Sequence, residues 1–170
     1  FYLGGIVGAD FGTLDKVPGS TAVPNQSLFT AGGTVGMRSF RENGAVRLEF
    51  EGRGRDPISF TNGPDQFGLT VTTVAKDGWS AMANIWRDFS VIGNFDIYAG
   101  GGVGTGGYRE VIRDNAGVFG ADNRASNFAW QAGGGLIYDF SDRVAVDLGY
   151  RFFSIVDSNL TLVAPFRRWR

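Results

Sequence analysis

Apolar and polar positions alternate with a period of two along most of the chain. In "FAWQAGGGLIYDF" the positions Phe128, Trp130, Ala132, Gly134, Leu136, Tyr138 and Phe140 stand against Ala129, Gln131, Gly133, Gly135, Ile137 and Asp139. "RVAVDLGYRFF" splits the same way, with Val144, Val146, Leu148, Tyr150 and Phe152 against Arg143, Ala145, Asp147, Gly149, Arg151 and Phe153. "AVRLEFEGR" opposes Val46, Leu48 and Phe50 to Arg47, Glu49, Glu51 and Arg53. Successive side chains of a strand point to opposite faces, so this period predicts long strands, each with one apolar and one polar face.

Candidate strands fall at about 1 to 12, 27 to 40, 44 to 55, 69 to 89, 94 to 110, 126 to 140, 143 to 155 and 159 to 170, an even eight within a single domain of residues 1 to 170. Their connections alternate in length. "RENGAV" with Asn43-Gly44, "SVIGNF" and "FSDRV" are tight turns after the second, fourth and sixth strands, whereas the loops at 13 to 26, 54 to 70 and 108 to 126 are long and polar. The connection around Val156 to Asn159 is short by that standard. Short turns on one rim and long loops on the other predict an all-β, eight-stranded antiparallel up-and-down transmembrane β-barrel.

A soluble ligand-binding barrel of the lipocalin type carries the same alternation turned inside out. Three features favour the membrane orientation. The proposed outward positions put aromatic residues at both ends, Phe1, Phe89, Phe95 and Phe140 near the short-turn rim and Phe11, Phe29, Trp79, Phe128, Trp130 and Phe152 near the long-loop rim, as two girdles around a band of Ala, Val, Leu and Ile. Crossing the hydrocarbon takes about 9 to 11 tilted residues, which several of these strands supply. The polar face is rich in glycine and in charges of both signs, unlike a solvated strand surface with its Thr and Lys.

With the apolar face outward, Arg38, Arg47, Glu49, Glu51, Arg53, Asp96, Asp147 and Arg151 point into the lumen. An eight-stranded barrel has an interior only just wide enough to be filled by side chains. Charges there must be paired to persist, and both signs are available in comparable number. The expectation is a salt-bridge network that plugs the barrel; an ion path lined by the same residues is the alternative. Gly100, Gly102, Gly104 and Gly106 share the inner face of one strand and are expected to leave room for Arg and Glu side chains of the opposite wall. That stretch contains Gly102-x-Gly104-x-x-Gly107, the spacing of a dinucleotide-binding turn, but no helical periodicity follows it to receive a pyrophosphate.

Composition narrows the chemistry further. The chain has no cysteine and no histidine, so thiolate metal sites, disulfides and histidine-based acid–base catalysis are absent, and a net charge of −1 gives no case for nucleic acid. No apolar run of about 18 residues offers a transmembrane helix. If a signal peptide preceded Phe1 and was removed, the chain is a mature exported protein. Glu49 with Glu51, or Asp15 among loop acids, could serve as carboxylate pairs, but structural pairing or a solvated loop is the plainer reading. Asp114, Asn115, Asp122 and Asn123 in "RDNAGVFGADNR" lack the order of a calcium-binding EF-hand. In "FEGRGRDPIS", Arg53 and Arg55 read as a lumen charge followed by a rim charge rather than a phosphate contact. No enzyme, metal or cofactor is expected.

"FAWQAGGGLIYDFSDRVAVDLGYRFF", "SAMANIWRDF", "FDIYAGGGVG" and the opening "FYLGGIVGADFG" together resemble the outer-membrane β-barrel family that includes opacity-type surface antigens and the transmembrane domain of outer membrane protein A. The resemblance runs in order over most of the chain and is strongest from Ser80 to Phe153. It implies an eight-stranded barrel in the bacterial outer membrane, with exposed loops that serve envelope structure, adhesion or surface contact. Membership of a larger envelope assembly fits the same picture, as does a small pore. The implied partners are outer-membrane lipid and lipopolysaccharide, and proteins met through the long loops or the lipid-facing wall. Two features depart from the family. Its members usually close on an aromatic C-terminal residue, whereas this chain ends "APFRRWR" with Arg170 last, and Pro165 cannot donate to a closing ladder.

Overall fold

The computed structural model of the chain describes residues 1–12, 26–63, 68, 70–116, 120–141 and 143–156. These residues form β1 (Tyr2–Gly12), β2 (Gln26–Arg41), β3 (Gly44–Arg55), β4 (Ile58–Asn62), β5 (Val71–Ile92), β6 (Phe95–Asp114), β7 (Gly120–Ser141) and β8 (Val144–Ile155), with no helix among them. All pairings are antiparallel, in the order β1-β2-β3-β5-β6-β7-β8, and β4 pairs with β5 beyond the end of β3. The architecture is an eight-stranded antiparallel up-and-down barrel.

The eight strands are not quite those that the alternation predicts. β4 lies inside the stretch 54 to 70 expected to be a loop. Its separation from β3 falls at Asp56-Pro57, where the Asp56 N–H makes a last bond toward β2, donating to the Phe29 carbonyl at 3.0 Å, and proline has no N–H to carry the ladder on. The expected loop at 108 to 126 is largely ladder, since β6 runs to Asp114 and β7 begins at Gly120. Polar residues such as Arg109, Asp122, Asn123 and Arg124 hid this hairpin extension, which stands clear of the apolar band. The strand expected at 159 to 170 and the loop at 13 to 26 lie outside the described residues, apart from Gln26, with which β2 begins.

The tight turns follow local chemistry. Asn43 has φ of 63°, a left-handed conformation that asparagine tolerates better than most side chains, and Gly44 follows with φ of 136°. A Cβ at Gly44 would strike the Asp88 backbone carbonyl of the neighbouring strand, so both space and conformation require glycine there.

The sheet curls until strands far apart in its order face each other. Arg38 on β2 reaches Asp139 on β7, and Arg151 on β8 reaches Glu51 on β3. On the outer surface Leu3, Phe50, Ile85, Val103, Leu136, Val146 and Leu148 are all exposed. A continuous apolar surface of this extent has no favourable place in water. No helix among the described residues is long and apolar enough to cross a membrane.

Candidate functional site

Inward positions on β3 and β5 assemble the most densely bonded part of the lumen. Arg47 donates through Nε to Asp88 at 2.8 Å and through Nη1 to Glu49 at 2.9 Å. Glu49 also accepts from Trp86 Nε1 at 3.0 Å and from the Tyr2 hydroxyl on β1. Asp88 is fully buried and has Arg38 Nε 3.0 Å away. Arg38 extends the network to Asp96 and, at 3.2 Å, to Asp139. Farther along the lumen, Glu51 joins Arg53 at 2.9 Å to Arg151. Arg55 closes that end, donating to Asp10 at 2.7 Å and to Ser80 at 3.0 Å with its guanidinium 4.2 Å from the centre of the Phe153 ring.

All eight charges read from the alternation therefore lie on the inner face, with Asp147 accepting from the Tyr98 hydroxyl at 2.8 Å and standing 3.7 Å from Arg47. Sequence reasoning missed Asp10, Asp88 and Asp139, and placed Arg55 on the rim although it is ion-paired to Asp10 inside. It also missed an apolar node. Trp86, Tyr98 and Ile137 are buried together, Trp86 and Tyr98 meeting edge-to-face at 5.5 Å. The inner parity shared by Asn84, Trp86 and Asp88 carried the signal, but a tryptophan on a polar face blurred it.

The glycines on the inner wall have a different use from the one expected. They make room for side chains of adjacent strands, which lie flat across them along the hydrogen-bonding direction. In one cross-strand row, Trp86, Gly100, Gly133 and Arg151 follow one another on β5 to β8. A Cβ on Gly100 would fall 2.8 Å from the Trp86 ring and one on Gly133 would fall 3.1 Å from Arg151 Cγ. With both absent, the Arg151 guanidinium reaches to 4.8 Å from the centre of the indole ring. In another row Tyr98 lies over Gly135 and Gly149, where a Cβ would meet its ring or its hydroxyl. Gly104 similarly accommodates Met82, and Gly106 faces Ile155 and Phe153.

Gly102 sits between Asn84 and Gln131, whose side chains join above it through a 2.6 Å hydrogen bond from Gln131 Nε2 to Asn84 Oδ1. Gly102→Leu should lower thermal stability by an amount equivalent to about 1–3 kcal/mol, read as loss of the heat-resistant folded band on unboiled gels. The neighbouring Gly101 faces outward, where an added apolar side chain would meet lipid, yet a Cβ there collides with the Gln131 backbone carbonyl, so Gly101→Leu should also be destabilising.

Gly102, Gly104 and Gly107 all lie within the single strand β6, without the strand-to-helix turn that phosphate binding needs. No cluster of three or more potential metal-binding side chains occurs among the described residues. Of the four candidate calcium ligands, Asp122 accepts from Arg109 at 2.8 Å and Asn115 is bonded to the backbone of Gly68 and Thr70.

Outside, Phe1, Phe89, Phe95 and Phe140 at one end and Phe29, Trp79, Phe128, Trp130 and Phe152 at the other are exposed. The side chain of Phe11 lies outside the described residues. Tyr138 joins the short-turn girdle, packing at 4.6 Å against both Phe95 and Phe140. Trp130 and Phe152 pack at 5.3 Å in the other girdle.

An apolar exterior, two aromatic belts and a polar, filled interior define a membrane-spanning β-barrel, with the apolar face opposite to that of a soluble carrier. The chain belongs to the outer membrane protein beta-barrel domain family, whose model matches residues 1–162. Neither the curated proteins nor the solved structures contain a match.

Proposed function

We propose that this outer-membrane barrel is a non-enzymatic element of the bacterial envelope, serving structure or surface contact through the parts that project beyond its long-loop girdle. The observation that carries this reading is the buried ionic network. Arg47, Glu49, Glu51 and Asp88 are each less than a tenth exposed, and together with Trp86 they occupy the space that a pore would need. The extended β5–β6–β7 sheet and β4 then supply an outward platform, and contact with other proteins belongs to it and to the lipid-facing wall.

Planar-bilayer recording tests the reading. The purified barrel should show little or no steady conductance, because a filled eight-stranded lumen leaves no continuous water path. A stable, ion-selective current that changes with Glu51→Gln would make the protein a small pore instead.

A further inference from the structure

Beyond the row that contains Trp79, the outer surface changes character. At Asp77, whose φ is 55°, β5 carries a bulge, and the register shifts between Lys76 and Trp79. The extra residue reverses which side chains of β5 face outward, since it adds one step to a period of two. Lys76 consequently pairs directly with Arg109, and Arg109 with Arg124. Cross-strand partners share a face, so three cations stand in one row across β5, β6 and β7. The row below holds Trp79, Gly107 and Ser126, which places the cations on the outer face about 7 Å beyond the tryptophan position along β6 and β7. Arg113 lies farther up the same face of β6, opposite Thr72 and Gly120.

Like charges directly opposite one another destabilise a ladder. The protein offsets this only in part. Asp122 pairs with Arg109, but Lys76, Arg113 and Arg124 have no ion-pair partner within 4 Å among the described residues. Asp122 responds to the surplus: its carboxyl is held below the ordinary carboxylate range, chiefly by the Arg109 hydrogen bonds and further by the charges of Lys76 and Arg124. A groove of about 410 Å³ runs along this face between Val74, Lys76, Val111 and Arg113.

We propose that this face binds the phosphate groups of the phosphorylated glycolipid in the outer leaflet, lipopolysaccharide, through Lys76, Arg109, Arg113 and Arg124. The proposal rests on the outer-membrane reading and gives it a site. On the rim with long loops, a row just beyond the aromatic girdle lies at headgroup depth. Arginine forks match phosphate oxygens in a bidentate manner, and an anion seated there relieves the repulsion within the row. Trp79 and Phe128 then border the acyl chains of the same lipid.

The folded barrel in detergent micelles, titrated with lipopolysaccharide and followed by native mass spectrometry and thermal unfolding, tests this. The wild-type protein should retain the lipid and unfold at higher temperature with it. The triple variant K76Q/R109Q/R124Q should bind about tenfold more weakly or worse. Chemically dephosphorylated lipid and added salt should weaken wild-type binding in the same way, an arm that needs no variant. Inorganic phosphate at millimolar concentration should not reproduce the thermal shift; if it did, the site would be one for free phosphate. Wild-type affinity that is insensitive to lipid dephosphorylation would overturn the proposal, as would unchanged affinity in a triple variant that still migrates as a folded barrel. Failure of the wild-type chain to insert into lipid vesicles would instead count against the membrane reading itself.

Discussion

Arg47→Ala is expected to destabilise the barrel by about 3–5 kcal/mol, the range for removing one partner from a buried ion pair. The side chain bonds Asp88 and Glu49 at once, and both carboxylates are almost wholly removed from solvent. Alanine would leave Asp88 with Arg38 and Glu49 with only the neutral donors Tyr2 and Trp86. Asp88→Leu should be damaging for the converse reason, since it removes the buried carboxylate that Arg47 and Arg38 share and leaves each with fewer acidic partners. In the double variant the two effects should fall short of additive by more than about 0.5 kcal/mol, since the side chains share one interaction. Urea unfolding in lipid vesicles, followed by tryptophan fluorescence, measures all three. A loss below about 1 kcal/mol for Arg47→Ala would mean that water reaches the network and solvates the orphaned carboxylates.

Leu148→Arg should impair folding into a bilayer by about 2–4 kcal/mol, because it places a charge on the lipid face near mid-membrane. Leu148 is 75% exposed on the outer surface and pairs with Leu136, midway between the two girdles. The adjacent Asp147→Asn should assemble normally, since an amide oxygen can still accept the Tyr98 hydroxyl. The contrast between neighbours is what matters: equal tolerance at 147 and 148 in a vesicle-folding assay would refute the assignment of faces.

Much of the fold was legible because a barrel strand writes its two environments alternately along the chain. Leu148 beside Asp147, and Phe50 beside Glu51, reveal orientation without any knowledge of neighbours. The same rule fails where the environments converge. Beyond the girdle both faces of a strand meet water, so the alternation fades and the ends of β6 and β7 read as loop. The lumen charges were legible as a set, but their partners were not, because the ladder offsets that bring Arg38 to Asp139 depend on strand tilt and curl. Trp86 illustrates a second limit. Its indole body belongs to the apolar node and its N–H to Glu49, so a hydrophobic–polar code cannot place it. The glycines were assigned to the inner wall correctly in position, yet what they accommodate is set by the cross-strand row, which requires the register.

The ionic network also constrains how the chain acquires its shape. Arg151 and Glu51 are 100 residues apart, and Arg38 and Asp139 are 101 apart. Neither pair can form in a hairpin or in any flat run of consecutive strands; both require the sheet to have curled. Until then Glu51, Arg151, Arg38 and Asp139 lack these partners and must stay hydrated, since stripping their water before the partners arrive would cost several kcal/mol per ion. A partly formed barrel therefore keeps its concave side wet while its convex side enters lipid, and expulsion of water from the lumen becomes a late, concerted event. Such long sequence separations slow folding. They also make the final state difficult to leave piecemeal, because opening one seam exposes charges on both sides of it together.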